Sequence, residues 1–293
     1  MGGFDRLVVL VLFLAAAWAL FGERDHAPRS RRPSIEPGTR PHGDVTPPAA
    51  TVPSLPRSNE MAIPPPSPID PVFRVQVERR SGVSIGTAFS IDPDGVWLTA
   101  RHVADGCNQI ALRGRNGWVR ASLAWLHPNA DLAVLRTQGG AAAFTLSSER
   151  LSPGQDGFAM GFPQGKPGAV HGRLIGRSQM QAEGRFNGRA PTVSWAELRR
   201  QPDFEGSLGG ISGGPLVNDR GHIIGVMVAE SPRRGRFETL APEVLTSLAA
   251  PDRALRRAAP GSTALSVPRD NFGRSADGLR DRLQITQAVC QTR

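Results

Sequence analysis

Thirteen of the chain's 26 prolines fall between Pro28 and Pro71, among them Pro47-Pro48 and Pro64-Pro65-Pro66, and few large apolar residues share that stretch. A segment so rich in proline gives up backbone donors and has little apolar surface to bury, so residues 27–71 are expected to form an extended, disordered, semi-rigid linker rather than a core. The folded part therefore starts at Val72. What remains is long enough for one large domain or two small ones.

Ahead of the linker, Leu7 to Phe21 is a run of 15 residues without a polar side chain. As a helix it would rise about 22 Å, short of the roughly 30 Å hydrocarbon core of a bilayer. That length suits a signal peptide or a thin signal anchor, assigned to residues 1–26, and either implies export. The chain is then expected to lie outside the cytoplasm, in the periplasm or its equivalent. It is tethered to the membrane by residues 7–21, or secreted if the Ala17-Trp18-Ala19 triplet is cleaved.

The formal charge of +9 raises nucleic acid as a partner, but the excess is spread thinly: residues 1–72 balance seven arginines against seven acids. Lys166 is the only lysine beside 34 arginines, a skew that reads as codon bias, because a phosphate-binding surface gains nothing from excluding lysine. No nucleic-acid partner is expected, and the alternative, binding through Arg233, Arg234 and Arg236, would carry a steep salt dependence. Six histidines include no pair at metal-ligand spacing and only two cysteines are present, so neither a metal nor another cofactor is expected.

From Val72 onward, short apolar runs alternate with turn signals. Strands are expected at 72–78, 86–91, 96–99, 109–112, 118–126, 132–136, 158–161, 170–178, 215–217 and 223–229. Asp92-Pro93-Asp94-Gly95 and Asn218-Asp219-Arg220-Gly221 supply turns. Helix is expected only over 243–250 and 277–288. The fold class is therefore all-β, a barrel or sandwich over residues 72–250, with 251–293 as a C-terminal tail.

Three segments carry chemistry. Thr99-Ala100-Arg101-His102-Val103 follows a strand, Asn129-Ala130-Asp131-Leu132-Ala133-Val134-Leu135 opens one with an acid, and Gly210-Ile211-Ser212-Gly213-Gly214-Pro215 is a glycine-rich turn before another. A serine hydroxyl is a poor nucleophile until an imidazole takes its proton, and that imidazole needs a carboxylate to fix its tautomer. The segments offer one of each: Ser212, His102 and Asp131. Glycines around Ser212 let backbone N–H groups converge on a developing oxyanion, with Gly210 and Ser212 as the donors.

Together with Gly86-Thr87-Ala88-Phe89 and Gly161-Phe162-Pro163, these motifs resemble the trypsin-like (chymotrypsin-fold) serine peptidases, specifically the bacterial HtrA/Deg-like branch, over Val72 to Ala250. The resemblance implies two six-stranded antiparallel β-barrels with the active site in the cleft between them. It makes His102 the general base, Asp131 the orienting acid and Ser212 the nucleophile of an endopeptidase working through an acyl-enzyme on protein or peptide substrates. Val228 and Ala229 would pair with substrate backbone as an added strand. Two residues depart from the pattern: Ile211 stands where Asn or Asp is common, and Arg101 where a small residue is. Gly206, six positions before the nucleophile, gives no acid for basic side chains, so small or aliphatic residues are expected before the scissile bond, with Glu230 an unexplained charge nearby. Too few residues follow Ala250 for a PDZ domain. In an oxidising compartment Cys107 and Cys290 are available to bond, which would pin the tail beside the base-bearing loop. The competing reading is a catalytically inactive or latent protease fold used as a binding or scaffold module.

Overall fold

A computed structural model describes residues 62–78, 81–246 and 265–292. The expected anchor over Leu7–Phe21 and most of the Pro-rich linker lie outside the described residues. Among the described residues no helix is long and apolar enough to cross a membrane.

The described residues form thirteen strands and three α-helices: β1 (Val72–Val77), β2 (Gly82–Asp92), β3 (Val96–Thr99), α1 (Arg101–Ala104), β4 (Gln109–Gly114), β5 (Gly117–Leu126), β6 (Ala133–Arg136), β7 (Asp156–Gly161), β8 (Gly168–Gly184), β9 (Gly188–Gln201), β10 (Pro215–Val217), β11 (Ile223–Ser231), β12 (Arg236–Leu240), α2 (Pro242–Thr246), α3 (Phe272–Asp281) and β13 (Ile285–Thr292). Six of the strands close an antiparallel barrel in the order β13-β2-β3-β6-β5-β4. Its interior is small and aliphatic, with Ala88, Ile110, Leu112, Leu135 and Ala288 buried together around Trp97.

Barrel closure by β13 corrects the expected boundary at Ala250 and the expected helix over 277–288. The helix runs over Phe272–Asp281 instead, and the sequence then switches period. In Ile285–Thr292 the residues Thr286, Ala288 and Cys290 are buried while Gln287, Val289 and Gln291 are more open, the alternation a barrel wall requires. β13 pairs on one side with β2 and on the other with β4, so 272–292 belongs to the folded domain rather than to a tail.

The remaining strands form one sheet in the order β1-β8-β7-β10-β11-β12-β9, in which β8 also pairs with β9. β1 joins its edge in parallel with β8, held further by Gln179 N donating to Pro71 O at 2.8 Å. Trp195 and Phe237 stack inside this sheet, with centroids 6.3 Å apart, among Val193, Leu208, Ile211, Leu216 and Met227. Another cluster joins sheet to barrel: Phe89, Leu98, Leu132 and Val134 pack with Met160, Val226, Val228 and Leu240. Burying aliphatic and aromatic surface from both units, at about 25 cal/mol per Å², holds the two in fixed relation and brings the motif loops to one seam.

α3 closes over the sheet. Phe272 stacks on Phe158 at 5.5 Å, Gly273 N donates to Gln201 Oε1 at 2.7 Å, and the buried Arg280 guanidinium donates to Gly168 O at 3.1 Å.

Candidate active site

α1 is a single turn set directly on the end of β3, and it carries His102. The backbone N of His102 donates to Asp131 Oδ1 at 2.8 Å, while the ring Nδ1 lies 2.6 Å from Asp131 Oδ2. Both carboxylate oxygens are thereby committed to one residue. Asp131 is only 2% exposed, and its bond to Nδ1 leaves the other ring nitrogen, Nε2, free of the carboxylate.

The loop that delivers Asp131 is organised by a histidine that the sequence reading left aside. His127 Nδ1 accepts from Ala130 N at 2.8 Å and from Asn129 N at 3.1 Å, and His127 N donates to Leu132 O at 2.9 Å. Burial, and then the Arg101 charge, lower its pKa, which favours the neutral ring that this acceptor role requires. Arg101 is explained by the same loop: it donates to His127 O at 3.0 Å and to Asp105 Oδ2 at 2.9 Å.

Ser212 sits on the opposite side of the seam. Its carbonyl accepts from Thr87 N at 2.9 Å, tying it to β2 of the barrel. Gly213 packs so closely on the end of β3 that a Cβ there would lie 2.6 Å from Ala100 N, two residues before His102, and its φ of +82° suits only glycine. The Ser212 turn is thus wedged against the segment that carries His102. No hydrogen bond joins the Ser212 hydroxyl to the imidazole among the described residues, an arrangement common before substrate binds.

The peptides flanking Ser212 are oriented by their carbonyls. Gly209 O accepts from Gln164 N at 2.5 Å, and Ile211 O accepts from Gly214 N at 2.8 Å. In a trans peptide the N–H points opposite to the C=O, so Gly210 N–H is directed away from Gln164 and Ser212 N–H away from Gly214. Neither N–H has a partner among the described residues. Thr87 is the clamp for this turn: its hydroxyl donates to Gly210 O at 2.7 Å and accepts from Phe162 N at 3.1 Å. Gly210 itself, at φ +99°, abuts Phe162 O, where a Cβ would come within 2.4 Å.

Ile211 does not project into the cleft. It is 1% exposed, packed in the sheet core beside Leu208 and Leu216, and so anchors the loop from below. Glu230 is likewise accounted for: one carboxylate oxygen accepts from Leu208 N at 2.7 Å and the other from the Ser207 hydroxyl, so the charge braces the approach to the loop. Val228 is buried and sits at a bulge in the β11–β12 pairing, between Met227 and the half-buried Ala229. β10 pairs with β11 as far as Val226 and Met227 exchanges backbone hydrogen bonds with Gly213 and Gly214, so among the described residues the adjoining edge of β11 lacks a strand partner only beyond Met227.

Cys107 and Cys290 form a disulfide that links the loop after α1 to β13. Arg233, Arg234 and Arg236 lie exposed at the β11–β12 turn, remote in sequence and strand register from the His102 loop.

Residues 86–226 match the family model of the trypsin-like peptidase domain. Among curated proteins, the chain is 31% identical over 162 residues to a probable periplasmic serine endoprotease DegP-like of Pseudomonas savastanoi pv. phaseolicola, covering 54% of this chain and 32% of that one. It is 31% identical over 165 residues to a putative serine protease HhoA of Synechocystis sp., covering 54% and 40%. The chain thus spans about a third of the length of the DegP-like relatives it matches. Among solved structures, the active form of the Rv3671c protease from M. tuberculosis aligns with a TM-score of 0.48 at 22% identity, over 63% of this chain and 90% of that one. The matched stretch begins in β2, ends in β11 and takes in His102, Asp131 and Ser212, and over it the chain is similar to the trypsin-like peptidase domain.

Proposed function

We propose that this protein is a serine endopeptidase that cleaves protein or peptide substrates outside the cytoplasm through a Ser212–His102–Asp131 triad. The observation that carries the reading is the fully committed Asp131 carboxylate, two hydrogen bonds to one histidine, set across a seam from a serine whose flanking N–H groups are unpaired. In the acylation step the Ser212 Oγ attacks the scissile carbonyl carbon while His102 Nε2 takes its proton. The carbonyl oxygen becomes an anion received by Gly210 N–H and Ser212 N–H. Collapse breaks the C–N bond, His102 returns the proton to the leaving amine, and water then releases the acyl group by the same route. Substrate backbone adds as a strand to the open edge of β11 at Val228 and Ala229. Glu230 is tied to Ser207 and Leu208 rather than offered to a basic side chain, which favours small or aliphatic residues before the scissile bond.

The unbroken circuit of pairings from β8 through β7, β10, β11, β12 and β9 back to β8 supports a second six-stranded barrel. Export is supported by the apolar run Leu7–Phe21, by the disulfide, and by relatives described as periplasmic; the same run would serve as the membrane tether.

Labelling of the purified full chain with a fluorophosphonate probe tests the reading, with Ser212→Ala and His102→Ala as controls. Labelling that both substitutions abolish is the expected result. A folded protein that never labels would instead fit the latent or scaffold reading.

A further inference from the structure

We propose that Arg185, at the tip of the β8–β9 hairpin, is a positioning residue that holds the His102–Asp131 pair in register. The inference rests on the peptidase reading above, but concerns residues outside the three catalytic ones.

A one-turn helix cannot hold itself in place. α1 spans four residues, and its last backbone bond runs from Asp105 N to Arg101 O at 2.7 Å. The carbonyl of His102 comes next along the helix and would be an orphan at a helix C-terminus, where the dipole favours a cation. The Arg185 guanidinium fills that role from the other unit of the fold, donating from Nη2 to His102 O at 2.5 Å. It thereby grips the backbone of the base itself.

Two residues just beyond it, Phe186 and Gly188, extend the grip to the acid. Phe186, 4% exposed, lies beneath the Arg101 guanidinium at 4.4 Å from ring centre to Cζ, and Arg101 in turn holds His127 O in the loop leading to Asp131. Gly188 packs so tightly on that loop that a Cβ would lie 2.3 Å from Asn129 O. The hairpin tip thus touches both the helix of the base and the loop of the acid. It is itself braced by β1, through Arg185 N donating to Val77 O at 2.9 Å.

The arginine's own hydrogen bonding is not optimal, since its Nε is buried without an acceptor. An arginine kept for surface solubility or for its own ion pair would not sit this way. What the placement achieves is a fixed separation between α1 and the 127–131 loop.

The test uses the full chain with Arg185→Gln and Arg185→Lys, followed by fluorophosphonate inactivation kinetics, the far-downfield proton resonance of the His102–Asp131 hydrogen bond, and the unfolding midpoint. Arg185→Gln should lower the maximal inactivation rate roughly ten- to a hundred-fold, as small misplacements of catalytic groups do, without changing probe affinity. It should also shift or broaden the resonance while the protein stays folded. Arg185→Lys, whose longer side chain still carries an N–H as far as His102 O where the shorter Gln amide does not reach, should recover most of the rate. The proposal is overturned if Arg185→Gln reacts at the wild-type rate with an unchanged resonance, or if both variants lose rate only in step with loss of fold. Wild-type protein that shows the resonance yet never labels would count against the peptidase reading alone, and the response of the resonance to Arg185→Gln would still decide the positioning role.

Discussion

The disulfide between Cys107 and Cys290 closes a loop of 183 residues, so its removal offers a large and calculable perturbation. In the chain-entropy treatment, a loop of that length costs the unfolded state about 18 cal/mol/K, which is about 5 kcal/mol at 25 °C. Cys107→Ala is the cleaner substitution, because Cys107 is half-buried whereas Cys290 is 2% exposed in the barrel wall and packs there as a small apolar group once freed. At about 2–4 °C per kcal/mol for a domain of this size, the unfolding midpoint should drop by roughly 10–20 °C. Circular dichroism melts of the wild type, of the wild type under reductant and of Cys107→Ala check this, and the last two should coincide. A midpoint that moves by only a degree or two in both would refute the reasoning. It would mean that the β13 ladders to β2 and β4 confine the chain without the covalent link.

Two further outcomes follow from buried polar groups. Thr87→Val removes the hydroxyl that Gly210 O accepts from and that Phe162 N donates to, leaving both unpaired at a cost of about 1–3 kcal/mol. Peptidase turnover should fall roughly ten- to a hundred-fold with little change in KM, measured by steady-state hydrolysis of a chromogenic peptide. Burial alone would raise the pKa of Asp156, but hydrogen bonds and charge from His171 and Arg269 outweigh it and bring the group to about 2, against 3.8 for an unperturbed carboxyl. A carboxyl held low stabilises the fold above its unfolded pKa and loses that contribution as pH falls from about 4 toward 2. Asp156→Asn should therefore cost about 2 kcal/mol in urea unfolding at pH 7 and almost nothing near pH 2, and an equal loss at both pH values would exclude the ionic origin.

Much of the fold was legible because many of its strands are short, apolar and punctuated by turns. β1, β3, β5 and β10 fall within a residue of the expected runs, and the Asp92-Pro93-Asp94-Gly95 turn closes as its residues dictate, with Asp94 N donating to Asp92 Oδ1 at 2.8 Å. β9 and β12 were not foreseen. Gly188–Gln201 carries Pro191, three arginines and a glutamate, and its strand character comes from pairing with β8 and β12 rather than from its own composition. β13 was hidden by the opposite effect, since the helical period of Phe272–Asp281 masks the alternation that begins at Ile285. For the site, the types and order of His102, Asp131 and Ser212 were readable, and Cys107 did find Cys290. The supports were not, because Thr87, Gln164 and Arg185 act through backbone groups far away in sequence, which leaves no local signature, and His127 bonds backbone N–H groups of its own loop, which its residue type does not announce.

The barrel that holds His102 and Asp131 cannot be completed in the order in which it is made. Five of its strands emerge early, and the sixth is synthesised only after the whole of the other sheet, with Cys290 following Cys107 by 183 residues. Contacts so distant along the chain form slowly, so a nascent chain that has already displayed His102, Asp131 and Ser212 still has an open first barrel. Time thus separates possession of the proposed triad from its assembly. A molecule interrupted before Ile285 keeps all three residues, yet it has no wall between β2 and β4 to hold His102 in place.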